Sequence, residues 1–260
     1  MKNTNESSKI RLNESNLFGF CKTYSEYNYS QTIKLLEERI KIHMKKFEKS
    51  KLILENIESI IYEESFDRFA KLAKEYYTKE SKTPCVTFHG TNCIDTVESI
   101  IRNGYLMPGE QCPETGRIIS YLNGNYYGDG IYTSHFPNLA ECYSFIDNNG
   151  SIILLANLII PGNVKFLEEE KNYGIMIPYQ GSFKYIYPKK EKPKKDTTTY
   201  QTIVSPDGKI IVTSKSDLVI PIFKLKIKKC ESLKTYIFYS SKNVSNGKKI
   251  IDLYPKKVFG

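Results

Sequence analysis

Three short stretches of this chain carry residues whose types and spacing suit chemistry on a flat, polar ligand. In "CVTFHG", Cys85 to Gly90, His89 is one of only three histidines; it closes a short apolar run and stands against Gly90 and Thr91. A glycine at a strand end leaves backbone N–H and C=O open to close approach, because no Cβ shields them. In "YGDGIYTS", Tyr127 to Ser134, glycines flank a turn into a second strand that carries Tyr132. Tyr143 follows eleven residues later, on the short helix predicted to leave that strand. An imidazole, a bare backbone amide and two phenol rings on adjoining elements make a grip for a planar ring. Stacking on such rings adds roughly 0.5–1.5 kcal/mol beyond burial. His43 and His135 read as structural or exposed.

The elements that must position these residues follow from periodicity. "CVTFHG" reads as a strand and "IDTVESIIRNG" as a helix, with Asp95 as its N-terminal cap, Gly104 as its stop and an apolar face of Ile94, Val97, Ile100 and Ile101. Leu106 to Gly130 is a long Gly/Pro/Asn-rich loop, a type that in compact domains is functional or disordered. "GIYTS" resumes a strand, and "HFPNLAECYSFI" reads as a short helix. "SIILLANLII", interrupted only by Asn157, is a buried strand, and "KIIVTSKSDLVIPIFKLKI" is two strands about a polar turn. Upstream, Ile33, Leu36, Ile40, Met44 and Phe47, then Leu52, Leu54, Ile57, Ile60 and Ile61, then Phe66, Phe69, Leu72, Ala73 and Tyr76 predict two or three amphipathic helices. The expected organisation is a flexible N-terminus (1–29), a helical region (30–80), a strand-rich α+β domain (84–230) and a basic tail (231–260).

At 260 residues with 40% hydrophobic and 26% charged content, the composition is that of a globular protein with a real core. No apolar run approaches the roughly 20 residues of a membrane span, and the polar N-terminus shows no signal region, so an intracellular protein, cytoplasmic or nuclear and not secreted, is expected. Cys21, Cys85, Cys93, Cys112, Cys142 and Cys230 show no C-x-x-C spacing, which predicts reduced thiols and no metal site. The net charge of +9 leaves nucleic acid open as a partner through the basic stretch 189–195, where a solvated loop is the plainer reading.

Together, "FHGT…SIIRNGYL…YGDGIYTS…AECYS" and the later "GKIIVTSKSDLVIPIFKLKI" resemble the catalytic domain of poly(ADP-ribose) polymerase-like ADP-ribosyltransferases, over roughly Pro84 to Lys228. The resemblance implies the ADP-ribosyltransferase fold: two packed, antiparallel-rich sheets with short helices. It implies NAD as the ADP-ribose donor, with no metal. It assigns His89 to the adenine-side ribose, Gly90 and Thr91 to the nicotinamide carboxamide, and Tyr132 and Tyr143 to the two faces of the nicotinamide ring. The loop from Leu106 to Tyr127 takes the place of the loop over NAD. Two positions depart from the family pattern. Ala140 stands where many members hold the carboxamide with a serine. Lys209 (Ile210 if the register slips by one) stands at the third motif position, which is glutamate in polymer-forming members.

The implied activity is transfer of a single ADP-ribose unit to a protein acceptor, the chain itself included, with release of nicotinamide. Two rival readings stand beside it. One is a catalytically silent module that binds NAD or ADP-ribose; the other is an interaction protein working through its helical region. Related folds serve other reactions, so the site rather than the fold must decide.

Overall fold

The computed structural model describes residues 29–48, 52–76, 84–119, 127–167, 175–179, 182–186 and 200–229. Nearly all of the leading segment expected to be loose, the tail from residue 231, the basic stretch 189–195 and residues 120–126 of the long loop lie outside the described residues.

The most apolar stretch of the sequence forms the middle of the sheet. β4 (Ser151–Ile159) is buried at every position, which a strand reaches only with a partner on each side and cover on both faces. Its partners, both antiparallel, are β2 (Cys85–His89) and β10 (Val219–Lys229). β1 (Leu52–Ser59) lies outside β10. Beyond β2 come β3 (Ile131–Ser134), β9 (Ile210–Thr213), β8 (Thr202–Val204) and β5 (Val164–Phe166). The order is β1-β10-β4-β2-β3-β9-β8-β5, and only β5 and β8 pair in parallel. The ladder thins to one residue pair, Phe88↔Ser134, between β2 and β3. It therefore consists of two four-stranded halves joined at a point, on an α+β fold as expected. A hairpin of β6 (Ile175–Tyr179) and β7 (Ser182–Ile186) belongs to a second compact unit.

Among the described residues four α-helices cover the sheet: α1 (Tyr29–Lys45), α2 (Glu63–Glu75), α3 (Ile94–Asn103) and α4 (Pro137–Glu141). Side chains alternate across a strand, and the two cores follow that alternation. Leu154, Ala156 and Leu158 join Val86 and Phe88 in a core with Ile33, Leu36, Ile40 and Met44 of α1, Phe66 and Phe69 of α2, and Ala140 of α4. Ile153, Leu155 and Ile159 join Cys85, Tyr105, Ile131 and Ile211 in the other core, against Val97 and Ile100 of α3.

The middle of the region predicted to be helical is a strand. Leu52, Leu54 and Ile57 face the α1 core, and a register shift between Leu54 and Asn56 inserts one residue into β1. The inward spacing thus goes from two to three and imitates a helical period. Residues 30–76 are built into the same sheet and core as the strands that follow. Two smaller differences concern the helices. Cys93, not Asp95, is the N-terminal cap residue of α3, while Asp95 lies in its first turn, where negative charge suits the helix dipole. α4 ends at Glu141, so the helix expected to run to Ile146 covers one turn and a half. Gly104 does end α3, at a φ of 75° that favours glycine.

Candidate active site

The β2–β3 ladder stops at Phe88↔Ser134, and the next residue of β2 is His89. His89 Nδ1 lies 2.8 Å from the Tyr132 carbonyl oxygen. A carbonyl only accepts, so Nδ1 carries the proton and donates it. The side chain thus supplies the donor that the splayed backbone no longer offers. Burial pushes the His89 pKa below 6.5, against the opposing effect of the Tyr132 hydrogen bond. The ring is neutral at pH 7 and Nε2 is an acceptor. Tyr105 meets the His89 ring edge-on, with centroids 5.2 Å apart and planes at 85°. Tyr105 is buried, and its hydroxyl donates to Asn157 Oδ1 at 2.8 Å. The one amide side chain inside the apolar β4 run therefore anchors the residue that braces His89.

Gly90 continues the alternation of Val86 and Phe88, so it faces α4, whereas His89 faces α3. A Cβ on Gly90 would overlap the Ala140 carbonyl oxygen and Ser144 Oγ. The glycine is thus required by the packing of α4 against the strand end, a requirement independent of any ligand. Thr91 is buried, and its carbonyl accepts from Phe145 N at 2.9 Å. Tyr143 N donates to the Ala140 carbonyl at 3.1 Å. These bonds tie the segment 143–145 to the end of β2. Tyr132 shares the face of Ser134 and Phe88. Its hydroxyl donates to Gly128 O at 2.8 Å and accepts from Tyr127 N at 3.0 Å, which fixes the ring against the chain entering β3.

Six of the seven residues singled out from the sequence, His89, Gly90, Thr91, Tyr132, Ala140 and Tyr143, therefore gather where the two halves of the sheet part. They divide across it: an imidazole acceptor on the α3 side, and bare backbone with the Tyr132 phenol on the α4 side. Lys209 is the outlier. It precedes β9 and shares the parity of Ile211, which lies in the α3-side core and faces Thr133. It lies outside that strand, in the turn that the bond from Ser205 N to the Ile210 carbonyl closes at 2.9 Å. Ile210, the alternative register, falls on the face opposite Ile211. The Lys209 ammonium lies 3.7 Å from Asp207 Oδ2, and its backbone N–H donates to Asp207 Oδ1 at 3.1 Å. Sequence reasoning missed Tyr105, Asn157 and Ser144. The single polar break in the β4 run was the only signal for any of them.

Among the described residues, no three His, Cys, Asp or Glu side chains converge as a metal site would need, and no helix is long and apolar enough to cross a membrane.

Residues 30–244 match the model of the poly(ADP-ribose) polymerase catalytic domain. The chain belongs to that family. The match takes in α1, β1 and α2, which the sequence motifs, beginning at Pro84, left outside. It agrees with the packing of those elements into one core. The poly(ADP-ribose) polymerase catalytic domain uses NAD as donor, so this is an NAD-dependent ADP-ribosyltransferase domain, and the general acceptor class of the family is protein. No curated protein matches the chain at a significant level.

Proposed function

We propose that this chain transfers one ADP-ribose unit from NAD to a protein acceptor, itself included, and releases nicotinamide. The observation that carries the reading is His89 fixed as a neutral acceptor beside Gly90, at the point where β2 and β3 part.

In this reading His89 Nε2 accepts a hydrogen bond from a hydroxyl of the adenine-side ribose. Gly90 and Thr91 meet the carboxamide, with Ala140 as an apolar wall. Tyr132 and Tyr143 hold the nicotinamide ring between them. The bond that breaks is the glycosidic C1′–N bond. Its electron pair leaves with nicotinamide, which departs neutral, and positive charge develops on the ribose. The acceptor nucleophile then bonds to C1′ from the opposite face and gives up its proton. Fixing ring and sugar in one orientation supplies much of the rate, because the nucleophile then meets a preorganised centre. Growing a polymer needs more: a carboxylate to hold and activate a ribose hydroxyl of the previous unit. Lys209, at the third motif position, has no such group, so the product is a single unit.

Incubation with labelled NAD and a cell lysate tests this. Label should appear on a lysate protein or on the chain, and should be lost with His89→Ala. Absence of transfer, automodification and NAD hydrolysis in the wild type would overturn it. The second reading, a silent NAD-binding module, is favoured by Ala140 and by an ammonium, Lys209, at the third motif position, where it opposes charge on the sugar. Tight NAD binding in calorimetry without any turnover would select it. The interaction-protein reading is weakened by the burial of Ile33, Leu36, Ile40 and Met44, which uses the apolar face of α1 in the core.

A further inference from the structure

We propose that Ser144 is the side-chain donor that grips the amide of the ligand beside Gly90, a function that the methyl group of Ala140 cannot serve. The inference rests on the reading of this site as one that binds nicotinamide.

The chain does not leave the site when α4 ends. Cys142 N donates to Leu139 O at 3.2 Å, Tyr143 N to Ala140 O at 3.1 Å and Ser144 N to Glu141 O at 3.0 Å. This tighter turn brings Ser144 back over Ala140, and Ser144 Oγ donates to the Ala140 carbonyl at 3.3 Å. That is long for a hydroxyl donor, whose usual distance is about 2.7–2.8 Å, so the proton is weakly held and can be redirected. Ser144 Oγ and the Ala140 carbonyl oxygen are the two atoms nearest the position that a Gly90 Cβ would occupy. Phe145 N, bonded to the Thr91 carbonyl at 2.9 Å, holds the turn in place from its far end. Ser144 therefore sits partly buried against the residue whose backbone lies just past the last β2–β4 ladder pair, His89↔Leu155. A primary amide placed there has a carbonyl oxygen needing donors and an N–H needing an acceptor. Ser144 O–H supplies a donor and the Gly90 backbone the remaining complement. Were Ser144 only a turn-closing residue, removing its hydroxyl would touch stability and leave ligand affinity alone.

Nicotinamide is the probe. Its dissociation constant by calorimetry, and the KM and kcat for NAD, are to be compared in wild type, Ser144→Ala and Ser144→Thr, with Tm measured for each. The expected result for Ser144→Ala is a roughly three- to tenfold weaker nicotinamide affinity, the value of one neutral hydrogen bond. KM should rise with it, by more than kcat falls, at a nearly unchanged Tm. Ser144→Thr keeps the hydroxyl and should stay near wild type. Equal nicotinamide affinity in wild type and Ser144→Ala overturns this proposal and leaves the functional reading intact, as does an equal loss in the Ala and Thr variants. Failure of the wild type to bind nicotinamide or NAD at all sinks both.

Discussion

His89 gives its one ring proton to the Tyr132 carbonyl, so whatever meets Nε2 must itself be a donor. Protonation would put a second N–H there and abolish acceptance. Because burial lowers this pKa from 6.5, kcat/KM for NAD should hold through neutrality and fall as pH drops, with a midpoint below 6.5; a pH–rate profile checks it. His89→Ala should cost on the order of 10²-fold in kcat/KM, the scale of a lost positioning group. Gly90→Ala should do more than block a ligand. Its Cβ has to displace the Ala140 carbonyl, so Tm should fall along with activity in the same preparation. The two short motifs were legible because they ask for scarce or unusual residues: a histidine against a glycine, and glycines before a strand tyrosine. The supports were not. Asn157 and Tyr105 lie 52 positions apart in the chain, and Ser144 reaches Gly90 only because α4 folds back. No local pattern encodes such contacts.

At the scale of elements, the fold was legible where burial follows one period and opaque where it changes. The apolar run of β4 and the two successive strands β9 and β10 about a polar turn stand as read from the sequence. β1 does not, because its bulge breaks the alternation that marks a strand. The consequence is energetic as well as topological. α1 covers one face of the sheet with Leu36, Ile40 and Met44, each almost wholly buried. Leu36→Ala should lower unfolding free energy by about 2–5 kcal/mol, the range for a buried large-to-Ala change. Urea unfolding should show that loss in the single transition of the sheet core, since α1 shares that core with β4 and β10. A separate early transition for residues 30–76, with the strand core unaffected, would contradict the shared core. The opening of the site has the same origin. A ladder reduced to one pair between β2 and β3 frees the strand ends that carry His89 and Tyr132.

For the molecule as a whole, charge and burial set conditions on use. Lys224, Lys226 and Lys229 of β10 form ion pairs with Glu58 and Glu98, Asp147 and Glu141 respectively. The net charge of +9 is therefore not a free basic stripe on that strand. The three histidines are held neutral by burial, and of the two roles read from the sequence for His43 and His135, structural or exposed, the structural one applies. His135 Nδ1 donates to the Val86 carbonyl at 2.8 Å, and among the described residues its buried Nε2 has no partner. Burial pushes its pKa down to about 4, with the Val86 bond opposing and His43 adding to the shift. His43 Nε2 donates to the His135 carbonyl at 3.2 Å, its ring stacks on Phe88, and burial lowers its pKa too. The unfolded chain takes up these protons first, near 6.5. Stability is therefore full above that pH and is lost as pH falls from 6.5 toward 4, by roughly 3 kcal/mol for His135 alone. Urea melts at pH 7, 5.5 and 4 should show the loss, and His135→Gln should flatten it. The central claim is single-unit transfer at the β2–β3 opening, and intact-mass spectrometry after exposure to NAD tests it most directly, with wild type, His89→Ala and Lys209→Glu side by side. Wild type should yield protein heavier by one ADP-ribose per modified site, and His89→Ala none; further units on one site should be confined, if they form at all, to Lys209→Glu. A ladder of repeated units from the wild type, or unchanged protein mass with NAD intact, would contradict the account.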